Sequence, residues 1–286
     1  MRVGFIILNY NTANMTMKLA KCIEAYKSIS DIVIVDNCST DDSYMKLKEI
    51  ENEKIKVYKT DHNGGYSFGN NYAMNRCKEL GDEFAFIANP DVEVEEKSVE
   101  EIIEVLLKRE FSLVTCLQYE IDGSLGMPPI LTLNTFRDDL FDCFFIMRKI
   151  RRYQEKNSVL EQRIIEIEMF RGSFFAVSVE SFFSVKGFDE GVFLYCEERI
   201  LSRKFIEKGM KMAMLTDCKY DHMHSVSIDN AYKNRSKKIG LLYKARLYYN
   251  IKYNNISVVK RHLLKVAMSF SMLEYFIADY IKKLKK

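Results

Sequence analysis

The stretch Phe84-Ala85-Phe86-Ile87-Ala88-Asn89-Pro90-Asp91 decides how the chain is read. It opens on an apolar run without a helical period, the mark of a strand buried on both faces. Pro90 has no N–H to give to a central ladder, so the strand must stop before it. Asn89 and Asp91 are thereby fixed just beyond a strand's carboxyl end, where open α/β sheets bind their ligands. An aspartate at such an edge is a natural cation ligand, and a cation there can hold a diphosphate.

Working upstream, Val3–Leu8, Asp31–Val35 and Ile55–Lys59 read as three further strands. The first ends in the polar corner Asn9-Tyr10-Asn11-Thr12, the second in Asp36-Asn37-Cys38-Ser39-Thr40-Asp41-Asp42-Ser43. Between them Met15, Leu19, Cys22, Ile23 and Tyr26 recur at helical spacing. After the third strand comes the glycine-rich, uncharged run Asn63-Gly64-Gly65-Tyr66-Ser67-Phe68-Gly69-Asn70-Asn71, leading into a helix to Leu80. Small residues at a helix start let a phosphate or nucleotide approach the backbone. The run is neither GxGxxG nor GxxxxGK[ST], which excludes the dinucleotide fingerprint and the P-loop. Four strand–helix alternations within about 90 residues predict a right-handed, doubly wound parallel sheet.

Downstream, the pattern predicts a charged helix over 97–109 and a strand over 112–118. Residues 119–168 are the least legible; 147–169 mix basic, acidic and apolar residues in a helical or irregular manner. Pattern returns at Phe170-Arg171-Gly172-Ser173-Phe174-Phe175-Ala176-Val177. Glu197 and Glu198 then open a helix, a strand over 212–216 delivers His222, and the remainder from about 237 is helical.

Composition places the chain among water-soluble globular proteins: 286 residues, 48% hydrophobic, 29% charged. The net charge of +3 conceals an asymmetry, because residues 233–286 hold 14 Lys/Arg and 2 acids while the first 232 carry a net −9. A basic tail on an acidic body suits an anionic membrane surface or nucleic acid, or is a solvated helical face. The seven cysteines form no C-x-x-C pair and suit free thiols in a reducing cytosol. With neither a signal peptide nor a spanning-length apolar window, the expected location is cytoplasmic, with attachment to the inner membrane face as an option.

Taken together, ILNYNT (7–12), IVDNCSTDDS (34–43), NGGYSFGNN (63–71), ANPDVEV (88–94), RGSFFAVSVESFFSVKGFDE (171–190), FLYCEE (193–198) and HMHSVS (222–227) resemble the family 2 glycosyltransferases, especially bacterial rhamnosyltransferase-like members. The resemblance covers roughly residues 3–228. It implies a GT-A fold: a Rossmann-like, mostly parallel central sheet with flanking helices, here over 1–230 (a nucleotide-binding half to 118, an acceptor and catalytic half beyond), plus a basic helical C-terminal extension over 231–286. It implies a non-processive hexosyl- or deoxyhexosyltransferase, since the chain has no Trp for a processive QxxRW motif. The donor would be a nucleoside-diphosphate sugar and the acceptor a cell-surface polysaccharide, such as capsule, or a lipid-linked oligosaccharide.

The same resemblance distributes the roles. Asp91, in the DxD position with Asn89 in place of the first acid, would hold a divalent cation, manganese or magnesium, with His222. Glu93 is a second metal candidate, or part of a solvated acidic run with Glu95 and Glu96. Tyr10 and Asp36 would meet the base, with Asn9, Asn11, Asn63, Gly65 and Asn70 on the nucleotide side. Glu198 matches the catalytic base, and Glu197 beside it would raise its pKa. His222, Ser225 and Ser227 form an H-x-x-S-x-S pattern. One departure stands out: Ile200 occupies the position of a later acid. That departure keeps a non-catalytic nucleotide-sugar-binding subunit as an alternative. A nucleic-acid partner would leave the acidic corners unexplained and is not expected.

Overall fold

The computed structural model describes residues 1–120, 122–126, 132–156, 162–223 and 235–284. Strands β1 (Val3–Asn9), β2 (Asp31–Asp36), β3 (Ile55–Lys59) and β4 (Phe84–Ala88) alternate with helices α1 (Ala13–Glu24), α2 (Ser43–Lys48) and α3 (Gly65–Leu80). They pair in parallel in the order β3-β2-β1-β4, the doubly wound half expected from the alternation. Nearly every residue of β1, β2 and β4 is buried, which explains their unbroken apolar runs.

Beyond β4 the sheet becomes mixed. The later elements are β5 (Val92–Val94), α4 (Glu96–Leu107), β6 (Leu113–Tyr119), α5 (Phe136–Phe141), α6 (Phe145–Lys156), β7 (Ile164–Ile167), β8 (Phe174–Ser178), α7 (Val179–Ser184), α8 (Glu197–Glu207), β9 (Met212–His222), α9 (Arg235–Lys252) and α10 (Val258–Leu284). Strand β8 runs antiparallel between β4 and β6, β9 lies parallel to β6, and the short β5 and β7 add antiparallel edges to β9. A row of rings crosses this seam: Phe5 stacks on Phe86 (5.8 Å), Phe86 on Phe174 (5.6 Å), and Phe174 meets Tyr220 (5.1 Å). Such ring contacts add about 0.5–1.5 kcal/mol each beyond the area they bury.

Three features depart from the sequence reading. Strand β9 continues past Thr216 through a register shift opposite Cys116 and Leu117, so His222 ends the strand itself. Residues 92–94 are a strand, with Glu93 outward and paired with Lys18 rather than turned toward Asp91. Residues 145–156 form a helix and 164–167 a strand within the stretch that had no clear period.

The C-terminal helices lie on the body of the protein. Tyr243 on α9 joins Cys143, Leu264, Ala267 and Met268 in one cluster. Asp189 accepts hydrogen bonds from Tyr248 (3.0 Å), Lys252 (2.7 Å) and Tyr253 (2.6 Å). Among the described residues no helix is long and apolar enough to cross a membrane.

At the opposite end of β1, Arg2 pairs with Asp31, and Asp82 lies buried beside them. Burial, then the Asp31 charge, pushes the Asp82 carboxyl up to about 7, with Arg2 opposing. The folded form therefore keeps a proton that the unfolded chain, with an ordinary carboxyl near ~3.9, has already lost. Stability from this site is complete below about pH 4 and drains as pH rises to about 7. Urea denaturation across that range should show the decline, and Asp82→Asn should flatten part of it and be the more stable protein at pH 8. An unaltered slope in the variant would assign the decline to other groups.

Candidate active site

The carboxyl ends of β1, β2 and β4 open onto a cavity of about 310 Å³, within the range of small-molecule sites. One wall comes from the parallel half: Tyr10, Asn37, Asn63, Gly65, Asn89 and Pro90. The other comes from the later half: Gln118, Arg171–Ser173, Phe193–Tyr195, Glu197, Glu198 and His222.

The first wall is braced from behind. Asn9 is fully buried; its amide donates to Asp36 (2.7 Å) and Ser39 (3.1 Å), and its carbonyl accepts from Thr12 (3.1 Å) and Thr16 (2.8 Å). The Asp36 carboxylate, also buried, takes a further bond from the Ser39 N–H (3.1 Å). Asn11, in a left-handed conformation, donates to Thr40 (3.0 Å) and accepts its N–H (2.9 Å). Asn70 is buried in the first turns of α3 and donates to the Tyr66 carbonyl (3.1 Å). Of the sequence-predicted nucleotide residues, Tyr10, Asn63, Gly65 and Asn89 thus reach the cavity. Asn9, Asn11 and Asp36 are instead behind it, their side chains bonded to the neighbouring corner, and Asn70 lies buried within α3, its amide on the carbonyl one turn earlier.

Gly65 joins the two walls. Its φ is +89°, and a Cβ there would lie 2.1 Å from the Phe193 carbonyl oxygen, so no other residue fits. That carbonyl accepts the Tyr66 N–H (2.9 Å), and the Tyr66 hydroxyl donates to the Gly172 carbonyl (2.6 Å). The Asn89 N–H donates to the Ser173 carbonyl (2.9 Å), and the Ser173 hydroxyl meets Tyr220 (2.7 Å). Arg171, Ser173 and Phe193 lie inside recognised motifs but carried no predicted role. A single arginine within an otherwise apolar and small run was the available signal for Arg171.

Asp91 and His222 meet across the β5–β9 pair, with Oδ1 3.2 Å from Nε2. Asp91 is buried, and His222 faces the cavity. No group of three or more Asp, Glu, His or Cys suited to a metal occurs among the described residues. One hard carboxylate oxygen and one imidazole nitrogen are nonetheless a donor set that a manganese ion accepts. Most of its coordination sphere would be left for oxygens of another molecule. Ser225 and Ser227 lie outside the described residues, as does His224.

Glu197 and Glu198 stand at the N-terminus of α8, after Tyr195 (φ +72°) and Cys196 (φ +65°). Burial, then the Glu198 charge, pushes Glu197 well above the ordinary carboxyl range, and its Oε2 has no hydrogen-bond partner among the described residues. Burial raises Glu198 too, but its own backbone N–H, Arg199 and Arg171 pull it back. The next residue, Arg199, is buried and makes a forked ion pair with Asp139 of α5 (2.9 and 2.8 Å). Asn250 and Arg246 of α9 reach the same carboxylate at 2.6 and 3.5 Å. Ile200 is fully buried among Val192, Cys196, Ala245 and Tyr249. In place of the acid expected there, Ile200 packs against α9.

These corners, in this order on this sheet, match a known group. Residues 5–182 match the profile of glycosyl transferase family 2. The chain belongs to that family. It is 22% identical over 196 residues to the rhamnosyltransferase WbbL of Escherichia coli K12, covering 63% of this chain and 73% of that protein. Its fold is similar to the mannosyltransferase PcManGT of Pyrobaculum calidifontis, solved with GDP-Man and Mn2+ (TM-score 0.62, 15% identity, 97% of this chain and 75% of that one). It also resembles residues 1–349 of S. aureus TarS in complex with UDP-GlcNAc (TM-score 0.58, 13% identity, 94% and 72%). The family 2 transferase is thus a glycosyltransferase of GT-A fold with C-terminal helices, as the motifs implied.

Breaking a buried ion pair leaves one charge without its partner and costs a few kcal/mol. Because Asn250 and Arg246 still reach Asp139, Arg199→Met should lower stability by about 3 kcal/mol, the low end for such breaks. Urea denaturation reads the change directly, and a loss below about 1 kcal/mol would show that the pair does not fasten α8 to α5 and α9.

Proposed function

We propose that this family 2 transferase is an inverting, metal-dependent enzyme. It moves one sugar from a nucleoside diphosphate to a cell-surface polysaccharide or lipid-linked acceptor, working at an anionic membrane face. The observation that carries the reading is the placement of Glu198 and His222 on one cavity with Tyr10, Asn63 and Asn89. A donor laid along that cavity would rest its nucleotide against Tyr10 and Asn63, with Asn9 and Asp36 holding the loop beneath.

Asp91 and His222 would hold the divalent ion, which supplies Lewis-acid stabilisation to the departing diphosphate. Arg171, the one permanent cation lining the cavity among the described residues, adds positive charge for the same oxygens. Two neighbouring carboxyls in unlike surroundings divide acid and base roles. Glu197, the more strongly raised, stays protonated; Glu198, eased toward ionisation by Arg199 and Arg171, takes the proton from the acceptor hydroxyl. Attack from that side, opposite the leaving group, inverts the anomeric carbon, by the stereochemical logic of single-displacement glycosidases.

Glu198→Gln should lower kcat about 10²–10⁴-fold with the melting temperature unchanged. In the native enzyme the acid limb of kcat should lie above the ~4.3 of an ordinary glutamate, because Glu198 is raised. Arg171→Gln, which removes one of the charges holding it down, should move the limb higher. A Glu198→Gln enzyme that transfers at the native rate would refute the assignment. Asp91→Ala should abolish both transfer and the thermal stabilisation by manganese plus nucleoside diphosphate; retention of that stabilisation would place the ion elsewhere.

A further inference from the structure

Helices α6 and α10 present one continuous apolar face that no other described residue covers. On α10, Val259, Leu263, Val266, Phe270, Leu273 and Ile277 recur at spacings of three and four residues, with Phe276 beside them, and all are exposed. They form a stripe on the side opposite Leu264, Ala267, Met268 and Ser271, which are buried against the body. Phe144, at the start of α6, meets Phe270 with ring centroids 6.3 Å apart, so the stripe runs on into Phe145 (63% exposed) and Ile146 (69%). An exposed apolar patch of this extent marks an interaction surface.

We infer that this two-helix face docks on the surface of an anionic lipid bilayer, which deepens the membrane placement proposed above. The charge pattern decides between occupants. Residues 233–286 carry a net +12, and the α6 segment 145–156 holds five Lys/Arg against one acid. Of the two acids in the tail, Glu274 is already paired with Arg148. A second copy seated on the face would bring two strongly basic helix pairs together with almost no acids to offset them. Acidic headgroups supply that counter-charge, with the apolar stripe entering the headgroup–acyl boundary and the basic side chains flanking it.

The test uses the full-length protein and vesicles of phosphatidylcholine with or without about three-tenths phosphatidylglycerol. The protein should sediment with the anionic vesicles at least tenfold more tightly than with neutral ones, and raising salt from about 0.05 to about 0.5 M should release most of it. The double variant Val266→Asp/Phe276→Asp, at two well-exposed positions, should lose about tenfold or more of the vesicle affinity. Lys149→Glu/Lys265→Glu should lose the preference for anionic lipid. Donor hydrolysis in solution, measured alongside, should be unchanged in both variants, which separates a failed docking face from a failed transferase reading. Equal sedimentation of native and Val266→Asp/Phe276→Asp protein would overturn the inference. A native dimer in sedimentation equilibrium that becomes monomeric in that variant would also overturn it, assigning the face to a second copy.

Discussion

The structure depends on one junction, the antiparallel pairing of β4 with β8. Within the sheet, the parallel strands reach the later ones through it, since β8 alone stands between β4 and β6. The pairing aligns Ala88 with Phe174, and one step on, the Asn89 N–H meets the Ser173 carbonyl. Pro90 prevents the ladder from going farther. The chain must turn away there, and the turn carries Asp91 beneath the end of β9 and against His222. The ring row Phe5–Phe86–Phe174–Tyr220 holds the same junction from the core side. The polar corners after the first strands and the Glu197–Glu198 corner, more than 100 residues apart, thus share one cavity because two strands are in register.

How much of this was legible in the sequence depended on the range of the interactions. The parallel half was open to reading because its strands are buried on both faces and its turns are polar, so residue type alone marks each boundary. Strand β9 was cut short because the polar residues Thr216, Asp217 and Lys219 break the apolar run, while backbone pairing to β6 continues through the register shift. Strand β5 was hidden because three residues hold too little pattern, and its glutamate looked like part of a charged run. Asp36 and Asn9 were recognised as polar corner residues. Whether such a residue faces a cavity or a neighbouring loop depends on partners some 27 residues away, which spacing does not reveal.

The fate of the C-terminal extension was open for a related reason. Composition recorded its charge and its apolar residues but not that they divide into two faces. Three-dimensional packing takes Tyr243, Leu264 and Met268 inward and leaves Val259, Val266 and Phe270 outward. A helix with two apolar stripes needs two partners, and the described residues of the body supply only one.

The Glu197–Glu198 corner explains why the inner partner cannot be dispensed with. Tyr195 and Cys196 both hold left-handed backbone conformations, each costing about 1–3 kcal/mol when the residue is not glycine. That strain is what turns Glu197 and Glu198 into the cavity at the first turn of α8, and the residues alongside must hold it. Cys196 and Ile200 are buried against Ala245 and Tyr249 of α9, and Arg199 reaches Asp139 beside Asn250. The helix that secures the strained corner also packs against α10, whose outer face awaits a surface. Ile200 adds apolar packing to the same corner, which keeps the two buried carboxyls at the cavity wall.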